Sequence, residues 1–217
     1  MELMFLGLVL FFACHSLNIY APGARAKLVE QLGALPFKAL YALISLVGLG
    51  CIFTGHPQAF AQMDWGWSPP TFTKHLNALL MLVACIILVS SCIPKNHIKA
   101  RLKHPMILSV KIWAFGHLLA NGEGANIVLF ASFLIWSVLS FKAARKTDKT
   151  AALHSQTEPS TLNDSPDAPS DHQRAKLLST AVCVFAGAGI WVMMIGWLHF
   201  KWFGVYPIII PGLIGPN

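Results

Sequence analysis

Three ionisable side chains stand inside apolar runs of this chain. His15 lies in MELMFLGLVLFFACHSLNIY, and Lys111 and His117 lie in HPMILSVKIWAFGHLLANGE. An ionisable group in hydrocarbon costs free energy, so each is a functional-site hypothesis by default. Two imidazoles on separate apolar segments form a donor pair for a buried metal or haem. At about 100° per residue, helical geometry puts Trp113, His117 and Asn121 on one stripe. A ligating histidine needs its second ring nitrogen held, and such a stripe offers polar groups to hold it. Gly116 gives His117 close access to a flat macrocycle or to a neighbouring helix. The competing role for His117 is a hydrogen bond across helices that holds a bundle together. Lys111 sits about 120° away around the helix. It either snorkels to the membrane surface or serves as counter-charge to a buried acid such as a haem propionate or a substrate headgroup. His199, in WLHFKW, reads as an interfacial residue beside tryptophans rather than a ligand.

The segments that carry these residues have membrane composition. The chain is 55% hydrophobic and 12% charged with mean hydropathy +0.60, against about 25% charged residues in soluble domains. Apolar runs of spanning length predict about six transmembrane helices, near residues 3–20, 36–54, 71–93, 105–120, 125–141 and 177–203. The fold class is therefore all-α, a polytopic integral membrane helical bundle. Breakers separate the runs: Ala21-Pro22-Gly23, Gly55-His56-Pro57, Pro94 and Asn121-Gly122. The short connection between the fourth and fifth runs predicts an antiparallel hairpin.

The basic residues set an orientation. Arg25, Lys27, Lys38, Lys95, Lys99, Arg101, Lys103, Lys142, Arg145, Lys146, Lys149, Arg174 and Lys176 fall in or around the loops after the odd-numbered spans, whereas only Lys74 and Lys201 fall on the opposite side. The positive-inside rule then puts both termini outside and makes the chain a multi-pass protein. The net charge of +7 comes from residues flanking apolar runs, with no aromatic-interleaved basic patch, which argues against nucleic acid. The start lacks the basic n-region of a signal peptide and reads as a retained helix. Residues 143–176, including SQTEPSTLNDSPDAPSDHQR, cannot bury enough apolar surface to offset their ordering entropy. They are predicted to be a disordered cytoplasmic loop, with His154 and His172 solvated. The organisation is thus a membrane domain over 1–142, this loop, and a last helix with its tail over 177–217. The five cysteines lie in apolar runs and form no CxxC, so they read as packed thiols. GxSxG, P-loop, HExxH and dinucleotide-binding patterns are absent. Outside the polar loop the only carboxylates are Glu2, Glu30, Asp64 and Glu123, which disfavours a paired-carboxylate hydrolase or ion pump.

His15-Ser16, YAPGAR, FKALYALISLVGL and HPMILSVKIWAFGHLLANGE together resemble the NnrU family of bacterial membrane proteins, from about His15 to Phe141. That family is similar to the 15-cis-zeta-carotene isomerases, integral membrane enzymes that use haem b with axial histidines. The resemblance implies haem b ligated by His15 and His117; the helical stripe and the counter-charge argument add Lys111, Trp113 and Asn121 as candidate residues around it. It also implies a bacterial inner-membrane location and a link to nitrogen-oxide metabolism, with nitric oxide or a lipophilic small molecule as partner. Enzymatic activity, if present, would be haem-dependent isomerisation. Ala114 stands where the isomerases have a cysteine tied to ligand exchange, and their histidine pair in the following span has no counterpart here. Lys103-His104-Pro105 keeps the core of a motif that binds S-adenosylmethionine in membrane isoprenylcysteine methyltransferases. A methyltransferase-like protein is therefore one alternative, and a haem-free scaffold or assembly factor is another.

Overall fold

A computed structural model describes residues 1–155 and 169–208. Its helices are α1 (Glu2–Tyr20), α2 (Pro22–Leu32), α3 (Ala34–Gln62), α4 (Thr71–Cys92), α5 (His97–Leu102), α6 (Pro105–Ala120), α7 (Gly124–Ser155), α8 (Pro169–Met193) and α9 (His199–Phe203). A five-residue π turn, Met194–Leu198, joins α8 to α9. Among the described residues no strand occurs beyond one isolated bridge, between Gly66 and Glu123. This is the helical membrane fold that the composition predicts. Within a bilayer each backbone N–H and C=O must be bonded inside its own segment, and the helix achieves this.

Four stretches are each long and apolar enough to cross a bilayer: Ala34–Gln62, Thr71–Cys92, Gly124–Leu153 and Gln173–Phe203. Glu2–Leu17 and Pro22–Leu32 pass the same test together but are bent by 88°. α6 has 16 residues, or about 24 Å, against a hydrocarbon core of about 30 Å. Among the described residues the number of spans is therefore four or five by length, and the expected six is approximate. The two short cases are the helices that carry His15 and His117. Leu35, Leu46, Leu178 and Phe185 are among many large apolar side chains left exposed, which is the surface a lipid-facing helix presents.

Three boundaries differ from those expected. α3 passes through Pro57 to Gln62, although Gly55-His56-Pro57 reads as a stop. Proline forfeits one hydrogen bond, but leaving the helix in apolar surroundings would forfeit several. α7 continues to Ser155, well into the segment expected to be disordered from residue 143. Its lysine-, arginine- and alanine-rich stretch has ample helix propensity, and Asp148 receives a partner in His104 at 2.9 Å. Likewise α8 begins at Pro169, before the expected end of the loop at 176. The remainder of the loop, and the His154 and His172 side chains, lie outside the described residues, as does the tail beyond 208.

The chain divides into two compact units. One comprises Met1–Ser68 and Asn121–Ala144, and the other Pro69–Ala120 and Arg145–Asn217. In the first, α1 packs along α3 at glycine contacts. A Cβ on Gly7 would stand 2.6 Å from Gly48 O and 2.6 Å from Ile52 N, and Gly55 faces the Met4 backbone. Met4, Leu8, Ile52, Ala59 and Ala125 form the core. The connections after α3 and after α6 are stitched together, with Trp67 N–H donating to Gly122 O at 2.9 Å and Gly124 N–H to Trp65 O at 2.9 Å. In the second unit α4 packs on α6 and on α8. Gly116 lies against Asn77, Met81 and Leu80 of α4, and Gly187 lies against Ile86. Gly116 thus serves a neighbouring helix, one of the two uses its position allows. Trp191 Nε1–H donates to Ala78 O at 2.7 Å, and all five cysteines are free thiols.

The α1–α3 contact yields a first prediction. Gly7→Ala forces a methyl group against backbone atoms that cannot rotate away, a cost of about 1–3 kcal/mol. Gly50, with nothing within 4 Å of its added Cβ, should accept alanine with unchanged or higher stability. Thermal midpoints of the two variants in detergent check this, and equal midpoints would contradict the packing.

Candidate functional site

His15 is half-buried in the last turns of α1. Its Nδ1 lies 2.8 Å from Phe11 O. A carbonyl only accepts, so Nδ1 carries the proton and the neutral ring keeps its lone pair on Nε2. The ring stacks on Phe11, with centroids 4.0 Å apart and planes at 19°. Tyr41 flanks it at 5.1 Å, and Trp136 meets it edge-on at 5.8 Å. The Trp136 Nε1 is buried without a hydrogen-bond partner. A cavity of about 350 Å³ opens beside His15, lined also by Cys14, Arg25, Phe37, Lys38 and Tyr41. A second, of about 280 Å³, lies between α1 and α7 and is lined by Ser16, Tyr20, Ser132 and Trp136 among others.

His117 repeats the local pattern in the second unit. Its Nδ1 lies 3.0 Å from Trp113 O, again four residues back, and its ring meets Trp113 at 5.3 Å. The stripe deduced from helical spacing therefore includes the Trp113 carbonyl among the groups that orient the imidazole. The His199 ring is nearly parallel to that of His117, at 16° and 6.5 Å between centroids. His199 also bonds a carbonyl through Nδ1, that of Val205 at 2.9 Å. The π turn immediately before His199 widens the helix by one residue and resets the register of α9. Sequence spacing carries no sign of that turn, so the expected interfacial role for His199 misses its pairing with His117.

The other predicted site residues are distributed between the units. Lys111, Trp113 and His117 share α6 in the second, and each of the three is half-buried. Asn121 comes directly after α6 and belongs with His15 to the first. His104 precedes α6 and bonds Asp148, an acid that a sequence reading assigns to a disordered loop. Equally unforeseen is a relay in the first unit. His56 Nε2 lies 2.8 Å from Asn126 Oδ1, and Asn126 Nδ2–H donates to Glu123 Oε2 at 2.8 Å. Only folding back of the chain makes that set visible. Among the described residues no three His, Cys, Asp or Glu side chains cluster as a metal site.

The sequence pattern of the NnrU protein family matches residues 3–207. The chain belongs to the NnrU family. The match covers nearly the whole chain, so α8, the π turn and α9 are part of the family's extent, which exceeds the residue 15–141 stretch that carries the resemblance by motif. No curated protein and no solved structure matches the chain. Within this NnrU protein, both histidines singled out by sequence in apolar helices bond the carbonyl four residues back.

That shared geometry is measurable. In haem-free protein, the ¹⁵N signals of His15 and His117 should show Nδ1 protonated and the lone pair on Nε2. Protonation at Nε2 in either ring would contradict the Nδ1–H to carbonyl bond.

Proposed function

We propose that this NnrU protein is a multi-pass bacterial inner-membrane protein, with both termini outside, that binds haem b through His15 and His117. The observation that carries this reading is the matched tautomer: each Nδ1–H donates to a carbonyl, which leaves Nε2 as the basic nitrogen that iron takes. The donor set suits haem better than a bare ion, because haem brings four nitrogens of its own and asks the protein for one or two. The buried Trp136 Nε1–H beside His15 offers a hydrogen bond to an acceptor on a bound group. Haem b, when bound, supplies an iron suited to nitric oxide or to haem-dependent isomerisation of a lipophilic substrate. The carbonyls of Phe11 and Trp113 orient the imidazoles. The nitrogen-oxide setting that the family resemblance implies fits the first of these, in an accessory, sensing or assembly role. Lys111, Trp113 and Asn121 complete the surroundings, with Trp113 acting through its carbonyl and its ring.

A second reading has its own support. His199 stands parallel to His117 within one unit, so it competes with His15 as the partner of His117.

Haem content of detergent-purified protein, from the Soret band and a pyridine haemochrome assay, separates the two. Under the first reading His15→Ala and His117→Ala each abolish or strongly reduce near-stoichiometric haem b, and His199→Ala does not. Loss in His117→Ala and His199→Ala, with His15→Ala intact, selects the second. A colourless, folded wild-type protein with ample haem supply defeats both and leaves a scaffold or a methyltransferase-like protein.

A further inference from the structure

We propose that the cavity beside His15 seats the phosphate of an anionic phospholipid between Arg25 and Lys38. The inference rests on the cavity and its charges and not on the haem reading.

The lining combines two cations with an apolar and aromatic wall. Arg25 comes from α2, Lys38 and Tyr41 from the start of α3, and His15 from α1. The Arg25 guanidinium carbon lies 5.6 Å from the Phe37 ring centroid, which tethers that side chain at the cavity. Among the described residues neither Arg25 nor Lys38 is ion-paired with a carboxylate. Two unneutralised cations converging on one cavity leave a charge deficit that an anion fills. Tyr41 adds a phenol O–H able to donate to a phosphate oxygen.

The depth of the cavity identifies the carrier of the anion. α1 and α2 are bent by 88°. With α1 across the bilayer, α2 runs along the membrane surface. No α2 residue is buried, and its sequence PGARAKLVEQL mixes Arg25, Lys27 and Glu30 with valine and leucines, the composition of an interfacial helix. Arg25 on α2 and Lys38 at the start of α3 lie near Lys27 in the basic stretch that follows α1, the kind of segment near which anionic headgroups concentrate. A cavity of about 350 Å³ has room for a headgroup, and the exposed apolar side chains of α1 and α3, such as Val9, Leu43 and Leu46, offer a track for acyl chains. A membrane lipid presents a phosphate at this depth and an apolar tail to lie along that track.

The test uses the full-length protein in phosphatidylcholine vesicles, with spin-labelled phosphatidylglycerol or phosphatidylcholine as probe. The fraction of motionally restricted probe gives relative affinity. The wild type should prefer phosphatidylglycerol. Each basic residue near an anionic group is worth roughly fivefold, so Arg25→Gln with Lys38→Gln should weaken that preference about thirtyfold. Lys38→Gln alone, which leaves the Arg25–Phe37 contact in place, should weaken it about fivefold and guards against misfolding of the double variant. Lys27→Gln, on the same helix but outside the cavity lining, should change little. Equal affinity for the two probes in the wild type overturns the proposal. So does a loss in Lys27→Gln as large as that in Lys38→Gln, which would mean diffuse surface charge. Displacement of the labelled phosphatidylglycerol by millimolar inorganic phosphate would identify a free-anion site and likewise overturn the lipid assignment.

Discussion

A polar group inside a bilayer has no water to turn to, and the rest of this structure depends on that constraint. The backbone answers with helices, even through Pro57. Side chains answer in the same way, by bonding back to the carbonyl of their own helix four residues earlier. Ser45 donates to Tyr41 O and Ser132 to Val128 O, each at 2.7 Å. His15 and His117 use Nδ1 identically. For serine this merely satisfies a hydroxyl. For histidine it also selects a tautomer, and the tautomer places the lone pair on the nitrogen farther from the backbone. A requirement of membrane solvation thereby prepares an imidazole for ligation.

Packing within each unit rests on the same economy of surface. Lipid tails are as apolar as leucine, so helix association gains little from hydrophobic burial and depends on close backbone approach. Gly7, Gly48 and Gly55 provide it between α1 and α3, and Gly116 and Gly187 between α4 and its neighbours. Two cavities lie away from these glycine contacts, beside His15 and Trp136. Charges gather at the ends. His104 and Asp148 close one such end, and His56, Asn126 and Glu123 form another polar cluster.

Membership of the NnrU family covers both helices that carry His15 and His117, and both rings have Nδ1 tied to a carbonyl. His199 complicates a simple pairing, since its ring lies beside that of His117. Three imidazoles with Nδ1 tied to carbonyls form a richer donor inventory than two, divided between units whose division only the fold reveals.

The sequence by itself determined the helical membrane class, since composition and run length are enough when every backbone group must be bonded locally. It also determined His15 and His117 as the residues to watch, because an ionisable group in an apolar run is conspicuous without coordinates, and α6 itself, Pro105–Ala120, whose ends are marked by proline and Asn-Gly. What it could not determine were features that depend on continuation or contact. The onward run of α7 to Ser155 depends on propensity and on a partner for Asp148, and composition alone pointed to disorder. The spans number four or five by length, where hydropathy runs suggest six, because the bend at α1–α2 and the shortness of α6 are geometric. The approach of His199 to His117, the relay from His56 to Glu123 and the meeting of Arg25 with Lys38 at one cavity were decided only by tertiary structure. Each joins residues far apart in the chain, and local periodicity says nothing about which helices meet or how a π turn rotates the next residue.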